Sequence, residues 1–193
     1  MKFFCFIFLV CCSLETIFSE DYKSLEIVVP SDSVLKIRAT EIPRHEISSS
    51  ENQNIIDQMY EIARGERLDE DSRVMVGLAA PQVGISKRIV LVDVSFDSAN
   101  RTCGELRAFI NPEIIYQSDD LEVDREGCYS VDSRLVGIVP RSKEIEITAF
   151  DRYGNLVREK YSGFTARVFQ HEIDHLDGVL FIDKATNINR KRP

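Results

Sequence analysis

The sequence predicts an α+β fold: short, mostly antiparallel strands packed around a central helix that carries an H-E-x-x-H sequence, with one further helix near the N terminus. Two observations lead there. Most of the chain between Val74 and Tyr161 breaks into short runs rich in β-branched residues, and only two stretches show helical spacing, one on either side of those runs. Strands and helices therefore do not alternate as a βαβ chain would require.

In chain order, Leu25 to Val29 and Val34 to Ile37 read as extended segments split by Pro30, Ser31 and Asp32. A helix follows, with Ser50 and Gln53 as an S-x-x-Q capping box, Ile55, Ile56, Met59, Tyr60, Ile62 and Ala63 at helical spacing, and Gly65 as its stop. Glu66 to Arg73 is a polar loop. The runs 74–80, 88–94, 106–111, 113–116 and 135–139 read as strands. Lys143 to Phe150 alternates apolar and polar residues, Asp151 to Asn155 turns at Gly154, and Leu156 to Tyr161 returns, which predicts a hairpin. Thr165 to Leu176, free of Gly and Pro, reads as the second helix and stops at Gly178.

With 24 Lys and Arg against 32 Asp and Glu in 193 residues, the net charge is −8, so no nucleic-acid binding is expected. The apolar fraction, 44%, is that of a globular domain. Lys2 precedes an apolar run from Phe3 to Leu14 containing Cys5, Cys11 and Cys12, the pattern of a signal or targeting leader with a poorly marked cleavage site. Residues 1–20 are set aside as that leader and residues 21–193 taken as one catalytic domain, with no stable membrane span once the leader is gone. An apolar N-terminal strand or helix retained on the protein is the alternative. Only Cys103 and Cys128 remain beyond the leader, too few for a disulfide scaffold.

The second helix carries His171-Glu172-Ile173-Asp174-His175. Residues four apart share a helix face, so both imidazoles can reach one metal ion while Glu172 faces the open coordination position; two solvated histidines are the plainer reading. A third ligand is needed. Gly178 fits the metzincin spacing but Phe181 stands where its third His belongs, and no Glu follows Glu172, so the ligand lies upstream. Cys128, in Glu126-Gly127-Cys128-Tyr129-Ser130, is the best candidate, since thiolate is a strong ligand and Gly127 permits close approach. His45, in a polar stretch, reads as a surface residue.

The segments Gly77-Leu78-Ala79-Ala80-Pro81-Gln82, Glu126-Gly127-Cys128-Tyr129-Ser130 and Gln170-His171-Glu172-Ile173-Asp174-His175-Leu176-Asp177-Gly178 resemble, in order and spacing, the three motifs of the peptide deformylases. The likeness extends over about residues 25 to 185. It implies a divalent ion held by Cys128, His171 and His175, usually Fe(2+), with Zn(2+), Ni(2+) or Co(2+) able to substitute. It also implies removal of the formyl group from N-formyl-methionyl peptides and from nascent chains met at the ribosome, with release of formate. Glu172 would be the general base, and the Gln82 amide and the Tyr129 backbone N–H the oxyanion donors. The backbone at Val76, Gly77 and Gly127 would pair with the peptide, and Val76 and Val168 would line a pocket for the methionine side chain. Glu126 with Arg141 would form a supporting ion pair, and Asp174 a supporting contact.

The chain departs from the family pattern at Met75 (usually Gly), Tyr129 (usually Leu) and Asp132 (usually Pro), and it ends soon after Lys184, without the long C-terminal helix of many bacterial members. These changes bear on substrate preference. Two other functions remain open: a secreted H-E-x-x-H metallopeptidase, and a peptide-binding protein without turnover, against which the intact Glu172 and Gln82 speak. The leader admits export, organelle targeting or retention, whereas the implied substrates are made in the cytoplasm or in organelles of bacterial origin.

Overall fold

The computed structural model describes residues 24–65, 75–100, 102–132 and 134–190, so the leader, its cysteines and the polar loop 66–73 lie outside the described residues. The α+β expectation holds. Strands β1 (Gly77–Ala79), β2 (Ile89–Asp93), β3 (Leu106–Gln117), β6 (Glu144–Phe150) and β7 (Leu156–Ser162) form a five-stranded antiparallel sheet in the order β1-β2-β3-β6-β7. Strands β4 (Leu121–Glu126), β5 (Leu135–Ser142) and β8 (Thr186–Arg190) form a second antiparallel sheet in the order β4-β5-β8. Helices α1 (Ser50–Ala63) and α2 (Gly163–Leu176) and the short α3 (Phe181–Lys184) complete the fold.

Residues of β2 are buried on both faces, because successive strand side chains point to opposite sides and each side is covered. Ile89 and Leu91 join Ile55, Ile56 and Met59 of α1, while Val90 and Val92 join Val168, Phe169 and Leu176 of α2. The ring of Phe169 meets Phe109 edge-on at 4.9 Å and stacks on Tyr161 at 4.4 Å. Phe169→Ala is expected to remove about 3–5 kcal/mol of stability. This seating fixes α2 across the large sheet. Its C terminus closes by a Schellman motif, with Gly178 at φ 74° and Val179 N–H donating to Asp174 O at 2.9 Å. A Cβ on Gly178 would lie 2.8 Å from the Lys36 backbone, so the stop read at that glycine is also a packing requirement.

Several local expectations are corrected. Val34 to Ile37 is not extended: Ser33–Lys36 form a 3-10 turn because the Asp32 carboxylate accepts the Val34 N–H at 3.0 Å. The α1 cap is Ser49, whose hydroxyl accepts from Asn52 N, while Gln53 Nε2 donates to Ile47 O and Arg152 O and takes no part in a capping box. The runs 106–111 and 113–116 are one strand, bent where Asn111 adopts φ 50° and its amide bonds both Ile42 N and Ile42 O. Strand β1 begins only at Gly77, and Ala80 already opens a 3-10 turn containing Pro81 and Gln82.

Candidate metal centre

The two edge strands β1 and β4 and helix α2 enclose a cleft of about 390 Å³. Phe164, Val168, His171 and Glu172, which recur on one face of α2, line it with Val76, Gly77, Gln82, Gly127, Cys128 and Tyr129. Cys128 Sγ and ring nitrogens of His171 and His175 lie within 4.8 Å of one another, and Sγ stands 3.2 Å from His175 Nε2. A thiolate and two imidazoles form a donor set suited to a divalent transition metal. The orientation of His171 fits as well: its Nδ1 meets Glu126 Oε2 at 2.9 Å, which leaves Nε2 for an ion. Cys128 and Cys103 are both free thiols, the first buried and the second exposed.

Glu126 is the centre of a buried polar network. Arg141 donates to it through Nε and NH2, both at 2.9 Å, and reaches Asp174 through NH1 at 2.5 Å. Lys184 also pairs with Asp174. The expected supporting contacts of Glu126, Arg141 and Asp174 are thus present. Burial works to raise the Glu126 carboxyl, but hydrogen bonds and charge from Arg141 and His171 hold it well below the usual carboxylate range. Burial would lower the His171 imidazole, yet Cys128, Glu126 and Glu172 lift it to about 10. Anionic surroundings that favour a proton on this ring favour a metal cation in the same way.

Glu172 is buried, and its Oε2 has no hydrogen-bond partner among the described residues. Burial, joined by the charges of Glu126 and Asp174 and opposed by His171 and Arg141, raises this carboxyl to about 7. The Gln82 side chain is held at both ends. Its Oε1 accepts the Ala79 N–H at 2.7 Å, so its Nε2 points at Cys128 Sγ, 3.4 Å away. The Tyr129 backbone N–H donates to no acceptor among the described residues.

Val76 differs from expectation in part. Its side chain lines the cleft, but its carbonyl accepts Asp93 N–H at 2.8 Å and belongs to the β1–β2 ladder. Antiparallel bonding alternates along a strand, so the backbone of Gly77 faces the open edge instead. Gly77 must be glycine, since a Cβ there would collide with the Glu172 carboxylate and lie 2.8 Å from Val168 Cγ1. Sequence reading missed Phe96, a cleft-lining residue from a loop without any motif, whose ring centroid lies 5.2 Å from that of Phe164. It also missed Arg167, which stands one helical turn before His171 on the same face of α2; that spacing is the signal that could have found it.

A family model described as polypeptide deformylase matches residues 24–191. The chain belongs to that family. A peptide deformylase of Pelotomaculum thermopropionicum is 44% identical over 179 residues, covering 89% of this chain and 96% of that protein. Among solved structures, a class I type b peptide deformylase from Acinetobacter baumannii superposes with a TM-score of 0.72 at 30% identity, covering 84% of this chain and 98% of that one. The peptide deformylase of Thermotoga maritima gives 0.66 at 37% identity, covering 86% and 99%. This deformylase is therefore a metallohydrolase that acts on N-formyl peptides and removes the formyl group from nascent chains. Its Cys/His/His cluster and its family both point to a divalent metal. The comparisons lend no support to a secreted metallopeptidase or to a binder without turnover.

Proposed function

We propose that Cys128, His171 and His175 hold the ion, Fe(2+) in the cell, and that Glu172, Gln82 and Tyr129 carry the hydrolysis. The convergence of the three donor atoms beside the unpartnered Glu172 oxygen and the fixed Gln82 amide carries this reading. An ion held there supplies Lewis acidity toward a water and the formyl oxygen. Glu172, poised by burial, takes the proton of the attacking water and passes it to the departing methionine nitrogen. Gln82 Nε2 and the Tyr129 N–H donate to the oxygen on which negative charge develops. The carbon–nitrogen bond breaks, and formate leaves with the water oxygen.

The peptide adds to the cleft as a strand, between the outward-facing backbone of Gly77 on one side and Gly127 on the other. Its methionine side chain lies among Val76, Val168 and Phe164. Met-Ala-Ser bound to the Acinetobacter enzyme supports a peptide of this kind as ligand. Nascent chains would be met at the ribosome. Residues 1–20 are read as a leader outside the catalytic domain of residues 21–193, in keeping with a family match that begins at residue 24. The test is hydrolysis of formyl-Met-Ala-Ser by protein loaded in turn with Fe(2+), Zn(2+), Ni(2+) and Co(2+), beside the unformylated peptide. Formate release from the first alone, fastest with Fe(2+), is expected. Turnover independent of metal, or cleavage of the unformylated peptide, would overturn the reading.

A further inference from the structure

Arg167 is buried on α2 and lines the cleft beside Glu126. Its NH1 donates to Glu126 Oε1 at 2.8 Å and to Val139 O at 2.9 Å, and its NH2 donates to Glu122 O at 2.7 Å. One guanidinium thus joins α2 to both β4 and β5. A carboxylate has about four lone-pair sites. On Glu126 they are met by Arg141 Nε and Arg167 NH1 at Oε1, and by Arg141 NH2 and His171 Nδ1 at Oε2. Arg141 already turns Nε and NH2 to Glu126, and its third nitrogen, NH1, faces Asp174.

Without Arg167 the carboxylate would keep the two parallel bonds from Arg141 and the one to His171, but Oε1 would lose the donor that ties it to α2, leaving Glu126 to shift together with the Arg141 fork. Any such movement carries Oε2 away from His171 Nδ1. The imidazole would then lose the contact that fixes both its tautomer and the direction of Nε2. Arg167 and His171, a turn apart on one helix, grip opposite oxygens of the same carboxylate, so helix geometry itself sets the spacing.

We infer that Arg167 is a positioning residue: through Glu126 it orients His171, and so sets how firmly the metal is retained. The inference rests on His171 being a ligand, as proposed above. Contacts of this outer kind change metal affinity by about 10- to 100-fold.

The test is chelator-driven release of Ni(2+) from the loaded enzyme, with the visible spectrum of the Co(2+) form as a second readout. Arg167→Met and Glu126→Gln should each speed release by about tenfold or more. The double variant should be no faster than the quicker single, because both act through one carboxylate. Should Arg167→Met fail to fold, Arg167→Lys decides, since one ammonium cannot reach Glu126, Val139 and Glu122 together; about tenfold faster release and shifted Co(2+) bands are expected. Release within about twofold of the wild type in Arg167→Lys, or effects in the double variant that multiply, would overturn the inference. So would a raised KM with unchanged release, the signature of a staple acting on the cleft wall alone. His171→Ala serves as the control: if it retains metal, His171 is no ligand and the inference falls with that reading, whereas unchanged release in Arg167→Lys beside a metal-free His171→Ala overturns the role of Arg167 alone.

Discussion

On one side of the cleft stand β1 and the turn after it, whose Leu78, Ala79, Ala80 and Val83 are all buried in apolar clusters. On the other stands β4, exposed along its length except at Glu126, and tied down by Glu126, Arg141 and Arg167. The first wall is held by burial, which is non-directional and tolerates substitutions that conserve volume. The second is held by charge-assisted hydrogen bonds, which are directional and costly to leave half made. The division follows the work each wall does. On the function proposed above, the β1 wall would present groups to the substrate through Gly77 and Gln82, whereas the β4 wall would orient His171 as a metal ligand and need the angular control that hydrogen bonds give.

Helix α2 belongs to both walls, so the largest effect is expected there. Glu172→Ala should keep the metal and lose about 10²- to 10⁴-fold in turnover, as expected for loss of a general acid–base group. Metal content and formate release measured on the same sample check this; near-normal rates in a fully loaded variant would remove Glu172 from the chemistry. On the β1 wall, Gln82→Leu should lower kcat by about 10²- to 10³-fold with a smaller change in KM, since its amide donates more strongly to a developing oxyanion than to a neutral carbonyl. An effect on KM alone would make Gln82 a binding residue and leave the β1 wall without a catalytic donor.

Gly77→Ala asks whether the buried wall is as tolerant as its apolar character suggests. The added Cβ meets Glu172 and Val168, so those side chains must shift. A loss of about 1–3 kcal/mol in thermal or denaturant unfolding is expected, with a drop in kcat as Glu172 moves. Unchanged stability and rate would mean that the wall yields freely at its closest contact.

The same contrast explains what could be read in the sequence. Burial writes a pattern: the helical spacing of Ile55, Ile56 and Met59, the unbroken run Ile89 to Val92 and the alternation from Glu144 to Phe150 all became the elements they foretold. Chemistry under tight geometric demand also writes one, and the three donors set apart in sequence at Cys128, His171 and His175 come together. The β4 wall wrote little. Leu121 to Glu126 has no buried face to give it a period, so β4 went unread, as did β8, exposed throughout. Arg167 resembles any charged helical residue until the partners that bury it are seen. Val76 needed the strand register, since which backbone groups face outward depends on pairing and not on residue type.

The smallest effect is expected at Cys103, and it tests whether the cysteines act apart. A sulfur joined to another sulfur cannot serve as a thiolate ligand, so a Cys103 to Cys128 disulfide and the proposed metal site exclude each other. Both thiols are free, and they differ in setting: Cys103 is exposed beside Asp97 and Thr102, while Cys128 is buried against His175, Gln82 and the Ser130 N–H. Cys103 is not among the described residues that line the cleft. Cys103→Ser should therefore leave metal content, rate and stability within about 0.5 kcal/mol of the wild type, as for other surface substitutions. Cobalt-loaded Cys103→Ser should keep its sulfur-to-metal charge-transfer band, and Cys128→Ser should lack it. Loss of that band on replacing Cys103, or an active enzyme whose mass shows the two cysteines joined, would transfer the ligand role away from Cys128.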